Sequence, residues 1–407
     1  LRTLLLQLSK YIFKKVTRFC IKINNNIHEM TIWNEKIIKV MIVVTFGIGM
    51  VSGLISYTYS IKQRRFVASK LRFLYTVLLS IGFTIFYGRS IIDDYFKNVI
   101  NLKGAIKLSS YINILVSIVC YIKDMIHSNK SLRFFQKMPF FDTINYLGIR
   151  EQVVQTGVLL IALKFLVFPL TIQLTLLLRQ QHDEPKESSF FSALFILMPY
   201  IVANIHPNFF FNGLIVTKLL IISLNEHLME IVKELNCMQS TLQMQLQKPF
   251  YRMQRFCDLS DKLDVLASKF AIIYVQRAEY VELMGVPVIC SLLSILLGIT
   301  SGLYIQYLDI ADSLINDDPY DIFNAVTNAI LLIILVADLI MMANICNDNW
   351  VERTGIILQS INLQHADVRF KQSVECFSLL VFNSKTRIKP LGLLDVDMSL
   401  LHAVSSL

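Results

Sequence analysis

Residues 322–346 read IFNAVTNAILLIILVADLIMMANIC, an apolar run whose only charged side chain is Asp338. A helix needs about 20 mostly apolar residues to cross a bilayer, because every backbone polar group must be paired within its own segment. The run therefore predicts a transmembrane helix. Similar runs predict five further crossings, near residues 73–88, 107–123, 153–178, 190–223 and 285–307.

The composition supports this interpretation. Of the 407 residues, 54% are hydrophobic and only 17% are charged, whereas soluble domains carry about 25% charged residues. The net charge of +9 arises at one end, since residues 1–72 hold 13 bases and two acids. Such an asymmetry indicates membrane orientation, so no nucleic-acid partner is expected. The predicted fold class is an all-α, polytopic helical membrane protein.

The apolar segment at residues 40–60 lies between two basic stretches. Residues 1–39 hold eight bases, and residues 61–72 hold five bases and no acid. Both stretches favour the cytosol. We therefore predict that the segment, which contains Gly47, Gly49 and Gly53, is bent or re-entrant rather than a crossing. Residues 1–72 would form a cytosolic N-terminal region, although a plain first span remains an alternative.

The later loops predict an orientation for the transmembrane bundle of residues 73–346. The loop at 308–321 holds five Asp and no base, and the loop at 179–189 is also acidic, so both are expected outside. Residues 224–284 are predicted to form cytosolic helices that extend the neighbouring spans. Six crossings then place residues 347–407 in the cytosol.

Sequence signatures of catalysis are not found. The chain contains no phosphate-binding Gly-rich loop, His-Glu-x-x-His, Gly-x-Ser-x-Gly or Cys-x-x-Cys. We therefore predict that the protein is not an enzyme and needs no cofactor or metal.

Three charged residues fall within predicted spans, namely Lys164, Lys218 and Asp338. Charge in lipid is expensive and is usually functional. One interpretation pairs Asp338 with Lys164 or Lys218 as a gating or packing contact. In the other, Lys218 reaches the inner interface and Asp338 faces a water-filled cavity.

Aromatic and polar residues near the predicted outer helix ends predict a pocket for a small, partly apolar ligand. The alternative is the aromatic belt that many membrane proteins have. The proposed lining residues are Tyr87, Tyr111, Phe168, Gln173, Phe195, Tyr200, Tyr304, Gln306 and Asn328.

Several short motifs resemble those of the insect gustatory receptors, which belong to the insect chemoreceptor superfamily. They are GIGMVSGL at 47–54 before a basic linker, LNEHL at 224–228, and LGLLDVD at 391–397. The resemblance extends over about residues 45–405. It implies a subunit of a ligand-gated, non-selective cation channel in the plasma membrane, with a cytosolic N-terminus and a small tastant as ligand.

The resemblance also implies tetramers, formed with itself or with other gustatory receptor subunits, around a pore of seventh helices. The last cytosolic helices, within 347–407, would anchor the subunits. The family motif Thr-Tyr, five residues, Gln-Phe is not found before Leu407. The chain is therefore expected to be partial at the seventh span.

The sequence fits two other classes of membrane protein less well. A transporter of small solutes is the alternative, but no internal repeat of the kind that transporters show is evident. A G-protein-coupled receptor would need an external N-terminus, which the eight bases in residues 1–39 disfavour.

Overall fold

The computed structural model of the chain describes residues 46–60, 65–96, 105–137, 151–183, 190–239, 249–316, 321–346, 350–384, 388 and 390. At some helix ends it describes the backbone alone. Almost all of these residues are helical, which confirms the predicted all-α polytopic fold class. The helices are α1 (Lys70–Phe96), α2 (Ala105–Lys137), α3 (Glu151–Ala162), α4 (Phe168–Asp183), α5 (Phe190–Met238), α6 (Pro249–Asn316), α7 (Ile322–Cys346), α8 (Trp350–Gln359) and α9 (Val368–Phe382).

Five helical stretches in the described part of the chain are long and apolar enough to cross a membrane. They are Lys70–Asp93, Gly157–Arg179, Leu197–Met238, Pro249–Ile315 and Ile322–Gln359. The predicted crossing at 107–123 lies in α2, which is not among these five. That sixth crossing stays a prediction.

The N-terminal apolar segment is bent within its described part. A helical turn at residues 46–51 ends at Gly53, whose φ of +74° favours glycine because a Cβ would be strained there. The chain then forms strand β1 (Tyr57–Ser60), which pairs antiparallel with β2 (Arg65–Ala68). The predictions for residues 1–45 concern a part of the chain outside the described residues.

The bend is fixed by hydrogen bonds from two helices. Tyr121 of α2 donates its hydroxyl to the Ser52 carbonyl at 2.6 Å, and Tyr75 of α1 donates to the Val51 carbonyl at 2.6 Å. The β-hairpin was not anticipated, because its stability depends on a contact that is distant in sequence. The Phe66 ring stacks on Phe46 and lies 5.7 Å from the Phe135 ring.

The two longest helices, α5 and α6, form the centre of the structure. They contain 49 and 68 residues, or about 70 and 100 Å of helix. Each is therefore much longer than a bilayer core of about 30 Å. The Tyr280 ring of α6 lies against Gly213 of α5, and the Tyr280 hydroxyl donates to the Phe209 carbonyl at 2.5 Å.

Beyond this contact, α5 and α6 continue into a second core with α8 and α9. Leu224, Phe270 and Phe377 are fully buried there. The motif residue Asn225 joins α5 to α8, since the Thr354 hydroxyl donates to Asn225 Oδ1 at 2.7 Å. These helices form the part of the chain that was predicted to be cytosolic.

Substitution Gly213→Ala tests the central contact. The new Cβ would overlap Tyr280 Cε1, so the ring must move and its hydrogen bond to the Phe209 carbonyl would be disturbed. We expect a destabilisation of about 1–3 kcal/mol, as for other overpacked cores. It would be measured as a lower melting midpoint of the full-length protein in detergent.

Gly82→Ala is the matched control, because no atom lies within 4 Å of its Cβ position in α1. Alanine is favoured over glycine in a helix interior, so this variant should match or exceed the wild type in stability. Equal midpoints for Gly213→Ala and the wild type would contradict the tight α5–α6 contact.

Candidate functional site

Two of the predicted pocket residues meet between α6 and α7, near their predicted outer ends. Asn328 Nδ2 donates to the Gly302 carbonyl at 2.9 Å and to Gln306 Oε1 at 3.3 Å. Gln306 Nε2 in turn lies 3.5 Å from the Ala325 carbonyl. The Asn328 amide is buried, whereas Gln306 remains partly exposed. This pair, the amide contact, is polar and specific in a largely apolar bundle.

The amide contact depends on a close approach of the two helices. Gly298 and Gly302 are four residues apart on α6, a spacing that lets helix backbones approach in membranes. A Cβ at Gly302 would lie 2.8 Å from Leu332 Cδ2 of α7. Tyr304 lies two residues beyond Gly302, on the opposite side of α6, and its side chain is 43% exposed.

The predicted pocket residues of α1 and α2 belong to a different cluster. Tyr87 is buried, with its ring centroid 4.4 Å from that of Phe83. Phe83 in turn contacts Tyr121 at 5.3 Å, and Tyr111 packs against the same core. This set is a packed aromatic core between α1, α2 and α5, separate from the amide contact.

The remaining pocket residues lie on α4 and α5. Phe168 and Gln173 of α4 are partly buried, and α4 packs against α7. Tyr200 of α5 lies close enough to Asp338 of α7 for the two to interact electrostatically. The side chain of Phe195 lies outside the described residues.

Two of the three intramembrane charges, Lys164 and Asp338, form an ion pair, as one of the two interpretations predicted. Lys164 Nζ donates to Asp338 Oδ1, and the Lys164 side chain is only 2% exposed. A buried, unpaired charge would be strongly unfavourable, so each of these charges depends on the other. Asp338 Oδ1 therefore anchors α7 to the junction of α3 and α4.

Lys164 lies in a π-helical turn, Leu163–Val167, that joins α3 to α4. The Phe168 N–H donates to the Leu163 carbonyl, five residues back. Pro169 follows directly and has no N–H to donate, which disturbs the regular helical pattern here. The π turn was not predicted, and Pro169 is the sequence signal that was available for a distortion at this position.

Lys218 contacts an aromatic ring of α8. Its Nζ lies 4.7 Å from the centroid of the Trp350 ring, a cation–π contact between α5 and α8. Lys218 therefore lies where the apolar bundle meets the second core.

A small cavity that the sequence did not predict lies under the bent N-terminal segment. It has a volume of about 30 Å³, enough for one or two water molecules. Its polar wall contains Lys123, Asp124 and His206, and its apolar wall includes Phe46 and Phe209.

Asp124 is the centre of this polar wall. His206 Nε2 lies 2.9 Å from Asp124 Oδ2, and Lys123 Nζ lies 3.1 Å from Asp124 Oδ1. Lys123 and His206 therefore both face the buried Asp124 carboxyl group. Adjacent charges at the end of the predicted 107–123 span were the available sequence signal. The partner His206 lies too far along the chain to be assigned from sequence.

Known proteins resemble this chain over most of its length. Residues 42–407 match the sequence profile of a family described as 7tm chemosensory receptor. A Drosophila melanogaster protein named as gustatory receptor 94a is 38% identical over 376 residues, which are 92% of this chain and 93% of that protein. Another, named as gustatory receptor 97a, is 35% identical over 375 residues, or 92% and 88% of the two chains.

Substitution of the buried ion pair tests its contribution to the fold. Lys164→Met leaves the Asp338 charge buried without its partner, so we expect a loss of about 3–5 kcal/mol in stability. The double variant Lys164→Met, Asp338→Leu removes both charges and should recover most of this loss. Melting midpoints in detergent and the amount of protein at the cell surface would measure both effects.

Lys262→Met is the control, because Lys262 pairs with Glu234 at 3.0 Å while both side chains are largely exposed. Exposed pairs contribute about 0–1 kcal/mol, so this variant should resemble the wild type. If the double variant were as unstable as Lys164→Met, the two side chains would not be acting as a pair.

Proposed function

The chain belongs to the 7tm chemosensory receptor family, and we propose that it is a gustatory receptor subunit of a ligand-gated, non-selective cation channel for small tastants. The main support for this proposal is the similarity to the two gustatory receptors over 92% of the chain. Membership of this family makes the protein a chemosensory receptor rather than an enzyme.

The proposed location is the plasma membrane, with the N-terminus in the cytosol. The charge distribution supports this orientation, because residues 1–72 carry 13 bases and two acids while the 308–321 loop is acidic. Epitope tags placed at the N-terminus and in the 308–321 loop would test it in unpermeabilised cells. Antibody should reach only the loop tag, and labelling of the N-terminal tag would reverse the orientation.

The proposed assembly is a tetramer, formed with itself or with related subunits. The second core of α5, α6, α8 and α9 supports association, because α9 presents large apolar side chains on its surface. Val368, Leu379 and Phe382 are exposed, with Phe382 at 85%. Apolar residues on a surface away from lipid favour contact with another protein.

The proposed ligand site is the outer part of the bundle around the amide contact. Gln306 and Asn328 offer hydrogen-bond donors and acceptors, and Phe168 of α4 and Tyr304, on another side of α6, are proposed to offer apolar surface to a ligand in the bundle. A small ligand with a hydroxyl, amide or amine group could replace the hydrogen bond between the two amides. Gln173, Tyr200 and Phe195 remain proposed ligand-binding residues on α4 and α5, and Tyr87 and Tyr111 remain proposed ligand-binding residues within the separate aromatic core.

The function is tested by expressing the full-length receptor in cells that lack it and applying a panel of tastants. We expect ligand-evoked cation currents that reverse near 0 mV. Ligand uptake without current would instead support the alternative of a small-solute transporter. Neither uptake nor current for any member of the panel would count against the receptor-channel proposal.

Substitution Asn328→Ala tests the ligand site once a ligand is found. Removing hydrogen bonds of this kind costs about 1 kcal/mol or more, so we expect the ligand concentration for half-maximal current to rise about ten-fold. Gln306→Ala should shift it in the same direction.

The matched control is Thr300→Ala, because Thr300 is exposed on α6 and its hydroxyl donates to carbonyls of its own helix. All variants would be compared at equal surface expression. An unchanged dose response for Asn328→Ala and Gln306→Ala would remove the amide contact from the ligand site.

A further inference from the structure

Five basic residues gather at one end of α1, α2 and the β-hairpin. We call this set the basic collar, and its members are Arg65, Lys70, Arg72, Arg133 and Lys137. Four of them are exposed, and Arg72 is partly exposed. Residues 46–72 and 125–137 contain no Asp or Glu, so the sequence on both sides of the collar is basic.

The exposed apolar stripe of α1 gives the level of the collar relative to a membrane. The stripe begins at Leu71, which is 78% exposed, and ends at Ile92, which is 55% exposed. At 1.5 Å per residue these two positions are about 32 Å apart, close to the thickness of the hydrocarbon core. Lys70 and Arg72 therefore lie at one boundary of that core. Between its two ends the stripe contains Leu74, Leu78, Ile81 and Ile85.

The end of α2 reaches the same level. Ser80 of α1 contacts Met125 of α2 at 3.7 Å, and Phe83 contacts Tyr121 at 5.3 Å. The two helices are therefore antiparallel. Leu71 lies nine residues before Ser80 on α1. Because the helices are antiparallel, Leu71 is level with the ninth residue after Met125 on α2. Arg133 and Lys137 therefore lie at about the same depth relative to the membrane as Lys70 and Arg72.

The β-hairpin brings Arg65 to this level. Gln136 Nε2 of α2 donates to the Phe66 carbonyl at 2.9 Å, and the Phe66 ring packs against Phe46 and Phe135. Arg65 is the preceding residue of the same strand. The nearby Lys130 points to α6, where it pairs with Glu282 at 2.8 Å, and it is not counted in the collar.

We propose that the basic collar binds the headgroups of anionic phospholipids in the leaflet that it faces. Basic residues beside a transmembrane helix are attracted to anionic lipids. Here the bases are held in place by packed helices and a pinned hairpin, with apolar side chains such as Leu71 entering the adjacent hydrocarbon. The leaflet is the cytosolic one, and this assignment rests on the orientation given under the proposed function.

The test measures lipid selectivity of the full-length protein in bilayer nanodiscs. Spin-labelled phosphatidylserine and phosphatidylcholine would be compared for association with the protein in phosphatidylcholine discs. We expect the wild type to favour phosphatidylserine about five-fold, and the preference to fall as added salt shortens the screening length. An equal association of the two lipids would overturn the proposal.

A collar variant, with Lys70, Arg72, Arg133 and Lys137 each changed to Gln, should lose most of the preference. The matched control changes to Gln four bases on the helices that form the second core, and it should keep the lipid preference. These bases are Lys233, Arg252, Arg255 and Lys371. Equal loss in both variants would indicate an effect of net charge alone and would also overturn the proposal. Because the discs are symmetric and contain no tastant, neither the orientation nor the channel proposal affects the result.

Discussion

The contact of the Tyr280 ring with Gly213 joins the two longest helices of the chain, and the other elements are arranged around that pair. Because glycine has no side chain, the aromatic ring can lie against the α5 backbone and donate its hydroxyl to Phe209. The bent N-terminal segment, α2 and α7 all pack onto this crossing through one apolar cluster. On its far side the same two helices form the second core with α8 and α9.

Three polar contacts inside the bundle connect different helices. The Lys164–Asp338 pair joins the α3–α4 junction to α7, and Asp124 joins α2 to α5 through His206. The amide contact joins α6 to α7. In an apolar environment a polar side chain is tolerated when it has a partner, so these contacts restrict how the helices can be arranged. Apolar packing alone would specify the arrangement less sharply.

Hydropathy was sufficient to predict the fold class and most of the long helices, because crossing a bilayer requires a local property of the sequence. Partners could not be predicted in the same way. Asp338 had two candidate lysines, and only the folded chain selects Lys164, which is 174 residues away. The hairpin was missed because Phe66 is stabilised by Phe46 and Phe135 rather than by strand propensity. Tyr87 and Gln306 were predicted to share one pocket, but their helices place them in separate clusters.

The length of α6 has a mechanical consequence. Its 68 residues form a single helix that passes through the crossing with α5 and continues into the second core. When such a helix tilts by one degree about its middle, each end moves by nearly 1 Å, and the two ends move in opposite directions. Tyr280 lies near the middle of α6, where its ring rests on Gly213 of α5. A tilt of α6 among the apolar helices would therefore move its other half within the second core in the opposite direction.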